Sequence, residues 1–279
     1  SLVILALLCP WIFRVLWSAF GHFTFDLFLE SFAPCVLPSG KAKGREMQKQ
    51  TNWWAACLVL GIVVIMLSQW LGTMFPTEGA GYAVGYGVPV IAFEMARSVA
   101  DLQAVFGQVG DEARATRIAA MDLGNRWDFL FMAVYGIFIT TFFLAAHRVR
   151  GNKLWLGFAL FGVLAALFDA YENSILLGLT QDLEAAKDLD LLIYPVWGKF
   201  LSIMIGGMGV GLYLLGQTGF AWKIVGAVVI LVAATTVLSL LQPAQYGVLI
   251  ALGAGVPWLV QLIFVGVRTV RGDPSQPAA

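Results

Sequence analysis

Asp169, Glu172 and Asn173 lie inside the apolar run Leu154 to Leu179, LWLGFALFGVLAALFDAYENSILLGL. A bilayer-crossing helix needs about 20 apolar residues, and each carboxylate set within one costs ~2.5–3.5 kcal/mol or more to insert. Two carboxylates within one turn mean that the groups are paired or used. Offsets of three and four residues put all three side chains on one helix face. The apolar run before it carries Asp128 and Tyr135, one heptad apart, with Arg126 beside them, and the run after it carries Lys199. The chemistry open to this set is that of carboxylates, one ammonium, a phenol and an amide held out of water. Such groups can bind a proton, a cation or a polar head group. They can pair as a latch between helices, through Asp128–Lys199 or Asp169–Lys199. Two carboxylates about one water apart can also serve as general acid and base.

The elements that must position these groups are membrane spans. The 279 residues are 59% hydrophobic and only 12% charged, and the mean hydropathy is +0.82. Soluble domains carry about 25% charge, so the chain belongs to the polytopic membrane class. Net charge is zero, which gives no reason to expect a nucleic-acid partner. Cys9, Cys35 and Cys57 have no metal-type spacing, and His22 and His147 make no ligand pair. No metal site is expected, and no cofactor is nominated. His22, Asp26 and Glu30 recur every four residues and read as a solvated helix face. Glu94 and Arg97 read as a surface pair. Nucleophile-elbow, zincin and phosphate-loop motifs are absent. The segment from Asp111 to Asp128 lacks the Asp-Gly pair and regular aspartate spacing of CDP-alcohol phosphotransferases.

Apolar stretches run from Trp53 to Phe75, Asp122 to His147, Leu154 to Leu179, Leu191 to Leu215, Trp222 to Leu241 and Val248 to Val267. Between the first two, Pro89 to Phe106 reads as one amphipathic helix on the outer surface, and Asp111 to Ala120 as a short polar helix. With one segment set aside as that surface helix, the expectation is five to six spans. Five are counted from Trp53 onward, and residues 1–33 supply a sixth if they cross. The expected fold is thus an all-α polytopic transmembrane bundle with an amphipathic surface helix. It divides into residues 1–52 (an apolar and amphipathic segment with a basic loop), 53–271 (the bundle) and 272–279 (a tail). Basic groups at Lys41–Lys49, Arg148–Lys153, Lys223 and Arg268–Arg271 assign one side as cytoplasmic, with the C-terminus there and the chain in the cell membrane.

Helix rise then sets depth. At ~1.5 Å per residue, Asp128 lies ~9 Å in from Asp122, Glu172 ~10 Å and Asp169 ~15 Å in from Leu179, and Lys199 ~13 Å in from Asp190. Three consecutive spans therefore bring these four residues to one layer in the outer half.

DFLFMAVYG (Asp128 to Gly136) and AALFDAYENSILL (Ala165 to Leu177) resemble a family of small bacterial integral membrane proteins. That family shows an LDFLF…Y element on one span and ALxDxxEN on the next. The resemblance covers roughly Trp54 to Leu215 and implies that Asp128, Tyr135, Asp169, Glu172 and Asn173 match the family's polar signature, without an activity attached. The leading functional expectation is a buried acidic site that binds a cation, proton or polar lipid head group. A structural subunit of a larger membrane complex and an intramembrane hydrolase or transferase stay open. Expected partners are membrane lipids and, on the subunit reading, other membrane proteins.

Overall fold

The structure, a computed structural model, describes residues 41–271 and, within them, the side chains of 53–270. His22, Asp26, Glu30, Cys9, Cys35, the question of whether residues 1–33 cross, and the tail at 272–279 lie outside the described residues. Every regular element described is a helix. In chain order they are α1 (Lys41–Gly72), α2 (Pro89–Glu94), α3 (Val99–Phe106), α4 (Arg114–Arg150), α5 (Leu154–Leu179), α6 (Ile193–Leu215), α7 (Phe220–Ala234), α8 (Thr236–Leu241), α9 (Pro243–Tyr246) and α10 (Leu249–Arg271).

Six helical segments are long and apolar enough to cross a membrane, and all six begin at or after Trp53. The count of five from Trp53 onward is one too few, because the surface segment was deducted from apolar stretches that did not include it. Six also fits the charge pattern. Successive spans reverse direction, so an even number brings Arg268 back to the end where α1 begins. Two other boundaries differ from expectation. The basic stretch from Lys41 is a helical extension of α1 rather than a loop. The short polar helix before Asp122 is the first part of α4, a single helix of 37 residues. At ~1.5 Å per residue α4 is ~55 Å long, well beyond a bilayer core of ~30 Å. Its N-terminal turns therefore project past the bundle.

Residues in α4 and in the α6 span are 61% buried over their most apolar windows, against 28% for α1 and α5. The first pair is central and the second peripheral. On α5 the buried stripe runs Ala159, Gly162, Ala165, Asp169, Glu172 and Leu176, at steps of three and four. Its other face exposes Leu156, Leu160, Val163, Leu167 and Tyr171. That face suits lipid as its solvent. α4 and α5 cross at Gly136 and Gly162. A Cβ added at Gly162 would lie 2.6 Å from the Gly136 carbonyl oxygen, and one at Gly136 would lie 2.9 Å from that of Gly162. Small residues permit this backbone approach, and it lies one residue from Tyr135. Trp70 and Trp127 meet edge to face at 4.9 Å at one end of the bundle. At the other, Arg148 sits 4.6 Å over the ring of Trp53. Both pairs fit interfacial anchors.

The segment between α1 and α4 departs most from expectation. Instead of one amphipathic surface helix it forms two short ones. Ser98 breaks the run, its side chain accepting from the Asp101 backbone N–H at 3.2 Å to cap α3. All six residues of α2 are buried. The projecting turns of α4 hold this cap down: Arg117 donates to the Phe106 carbonyl at 3.1 Å, and Arg114 to that of Gly107 at 3.1 Å.

Candidate functional site

Lys199 enters the bundle from α6, two turns after Leu191, in a stretch where Pro195 stands in the first helical turn and Phe200 follows. Its side chain is 2% exposed. The ammonium donates to Glu172 Oε1 at 2.7 Å. It also lies 3.3 Å from Asp169 Oδ1 and 3.3 Å from Glu94 Oε1. Three carboxylates thus surround one cation. Two come from the buried stripe of α5 and the third from the end of α2.

Glu94 is the site residue that sequence reasoning missed. It is 3% exposed and faces Lys199, not the surface. Arg97, its expected partner, instead donates to the backbone carbonyls of Glu94 at 3.4 Å and Ala96 at 2.6 Å. A signal was available: Val88 to Ala96 reads VPVIAFEMA, where Glu94 is the only charged residue in nine. That is the density of a buried segment.

Asp169 is held from two sides. Its Oδ2 accepts the Tyr135 hydroxyl at 2.6 Å, and that hydroxyl also lies 3.2 Å from the Ala165 carbonyl oxygen. Tyr135 is placed by rings, with Trp258 of α10 at 5.2 Å and Phe131 at 5.4 Å. Asp128 pairs with Asn173, whose amide donates to Oδ2 at 2.8 Å and to the Asn125 carbonyl at 3.3 Å. The expected direct Asp128–Lys199 pair is replaced by this amide contact. Of the two expected pairs, Asp169–Lys199 forms at 3.3 Å, and Glu172, not expected as a partner, comes to 2.7 Å. Arg126 is exposed and stands apart from the cluster.

Asp128, Tyr135, Asp169 and Lys199 border one small cavity of about 10 Å³, closed by Phe131, Phe200, Ile203, Ile250 and Ala254. That volume is near the minimum that holds one water. Glu172 Oε2 is buried with no hydrogen-bond partner among the described residues. Asp169 Oδ1 likewise accepts no hydrogen bond there, beyond its ion-pair contact with Lys199. The arrangement can neutralise, hold and pass protons.

No family model matches the chain, nor does any curated protein or solved structure. The two motif elements therefore stand on the contacts they make: the first supplies Asp128 and Tyr135, the second Asp169, Glu172 and Asn173.

Proposed function

We propose that this integral membrane protein binds and exchanges protons at the carboxylate cluster around Lys199, in the half of the bundle away from its basic loops. One observation carries the reading: a single buried ammonium within 3.3 Å of three carboxylates from α2 and α5, with a fourth, Asp128, on the same cavity. One positive charge offsets one carboxylate. A carboxylate kept from water without a cation of its own is neutralised by taking up a proton. Protons do this with no added volume. The position a metal cation would take among Glu94, Asp169 and Glu172 is occupied by Lys199 itself. Asp128 and Asp169 border one cavity, as an intramembrane hydrolase would require.

Infrared difference spectroscopy tests the proposal. In membranes, a pH step should change carbonyl bands of protonated carboxyl groups, and Asp169→Asn and Glu172→Gln should each remove part of that signal. Spectra without any buried carboxylic acid band between mildly acidic and alkaline pH would overturn it.

A second reading, a latch in a subunit of a larger complex, is favoured by the short Lys199–Glu172 contact, which ties α6 to α5. It requires co-purification with fixed partners at native expression. A chain that runs alone and still shows the pH-dependent bands favours proton binding.

A further inference from the structure

We infer that the cavity bounded by Asp128, Tyr135, Asp169 and Lys199 is a binding site for one ordered water, which links Asp128 to Asp169 and forms the proton's way in from the outer face. The inference rests on the proton-binding reading and adds its route.

Four observations combine. The cavity of about 10 Å³ is of the size that holds one water. A buried water needs two to four polar partners, and four polar side chains border this volume. Asp169 is 4% exposed, and its Oδ1 is left without a hydrogen bond while Oδ2 is taken by Tyr135. It therefore has an acceptor to offer. Of the four carboxylates, Glu94, Asp169 and Glu172 are buried, whereas Asp128 is half-buried. Asp128 also follows Trp127, whose ring packs on Trp70 at the end of α1. It stands where the chain passes from interface to interior.

The transfer balances as a relay. The carboxylic acid of Asp128 gives its proton to the water oxygen, and the water gives one of its own protons to Asp169 Oδ1. Asp128 is left as carboxylate, Asp169 as acid, and the water is restored. Lys199, 3.3 Å from Oδ1, keeps its charge throughout and stabilises the ionised state of Asp169 between transfers.

The experiment uses the full chain in phosphatidylcholine vesicles, with infrared difference spectra taken across a pH step in ordinary and in heavy-oxygen water. In the unaltered protein an O–H stretching band should shift with the water isotope. It should disappear in Ala254→Val, which adds two carbons to the cavity wall and changes no titratable group, and in Asp128→Asn. The carboxylic acid band of Asp169 should still form in Ala254→Val, but more slowly after the pH step than in the unaltered protein. The absence of an isotope-sensitive band in the unaltered protein overturns the bridging water whether or not the variants fold. A band that survives Ala254→Val also overturns it. Loss of all carboxylic acid bands in the unaltered protein would instead overturn the proton-binding reading itself.

Discussion

Removing the ammonium of Lys199 would leave Glu94, Asp169 and Glu172 without the cation they share. Breaking a buried ion pair at one partner costs ~3–5 kcal/mol. Lys199→Met should therefore lower the melting temperature sharply in detergent, and Lys199→Met with Glu172→Leu should lose less than the sum of the two single changes. Additive losses would show that the pair is not a unit. Tyr135→Phe removes one hydrogen bond to a carboxylate, a loss of ~1.5–3 kcal/mol, and should leave the Lys199 contacts in place. At this scale most of the site was legible. Asp128, Asp169, Glu172, Asn173 and Lys199 stand out because polar atoms are costly in apolar runs, and a helical offset says which share a face. Which carboxylate Lys199 prefers was not legible. Asp169 and Glu172 are three apart on one helix, and only side-chain packing decides that Glu172 comes to 2.7 Å. Glu94 was lost for another reason. It lies between spans, where a charge by itself is ordinary, so only the apolar density of its neighbours from Val88 to Ala96 marks it as buried.

At the scale of elements, the crossing of α4 and α5 sets the registry between Tyr135 and Asp169. Gly136→Leu would drive a side chain into the Gly162 backbone and Ala166, and overpacking of this kind costs ~1–3 kcal/mol. Gly157→Leu, on the same pair of helices but with nothing within 4 Å of its Cβ position, should change stability by about 0.5 kcal/mol or less. Equal losses at both glycines, measured by thermal unfolding, would deny the crossing its role. The start of α4 gives a pH prediction. The Arg117 guanidinium, with the Ala113 backbone N–H, holds the Asp111 carboxyl below the usual aspartate value. A carboxylate so depressed contributes stability above its unfolded pKa and loses it as pH falls through the folded value. Asp111→Asn should therefore lower stability at neutral and alkaline pH and flatten the acid-side profile, so that the two proteins converge as pH falls through the folded value. These contacts also show why the segment from Pro89 to Phe106 was misread as one helix. Its apolar period continues across Ser98, but the Ser98 cap, bonded to Asp101 three residues on, restarts the helix. Side-chain capping outweighed periodicity there.

Across the whole molecule, the placement of the site depends on which end of the bundle faces the cytoplasm. The six spans alternate, so the α4–α5 turn at Arg150–Leu154, the start of α7 and the end of α10 share one end with the start of α1. That end carries Arg148, Arg150, Lys153, Lys223 and Arg268. The opposite end carries the α2–α3 cap and the loop around Glu184, which Arg114 holds at 2.8 Å. Positive residues favour the cytoplasmic side of short loops, so the carboxylate cluster should lie toward the exterior. Thiol labelling in intact cells decides this. In a background with Cys9, Cys35 and Cys57 replaced, a membrane-impermeant maleimide should label Lys187→Cys, in the loop between α5 and α6, and spare Lys153→Cys until the membrane is opened. Six spans further require that Pro89→Cys stay slow to react even from outside, since it is buried in α2, whereas Glu78→Cys in the preceding loop should react quickly. Labelling of Lys153→Cys in intact cells would invert the bundle and place the proton's entry on the cytoplasmic face. The contacts around Lys199 would be unchanged by that inversion, but Asp128 would then face the cell's interior, and a site that takes up protons from outside would have no path to them.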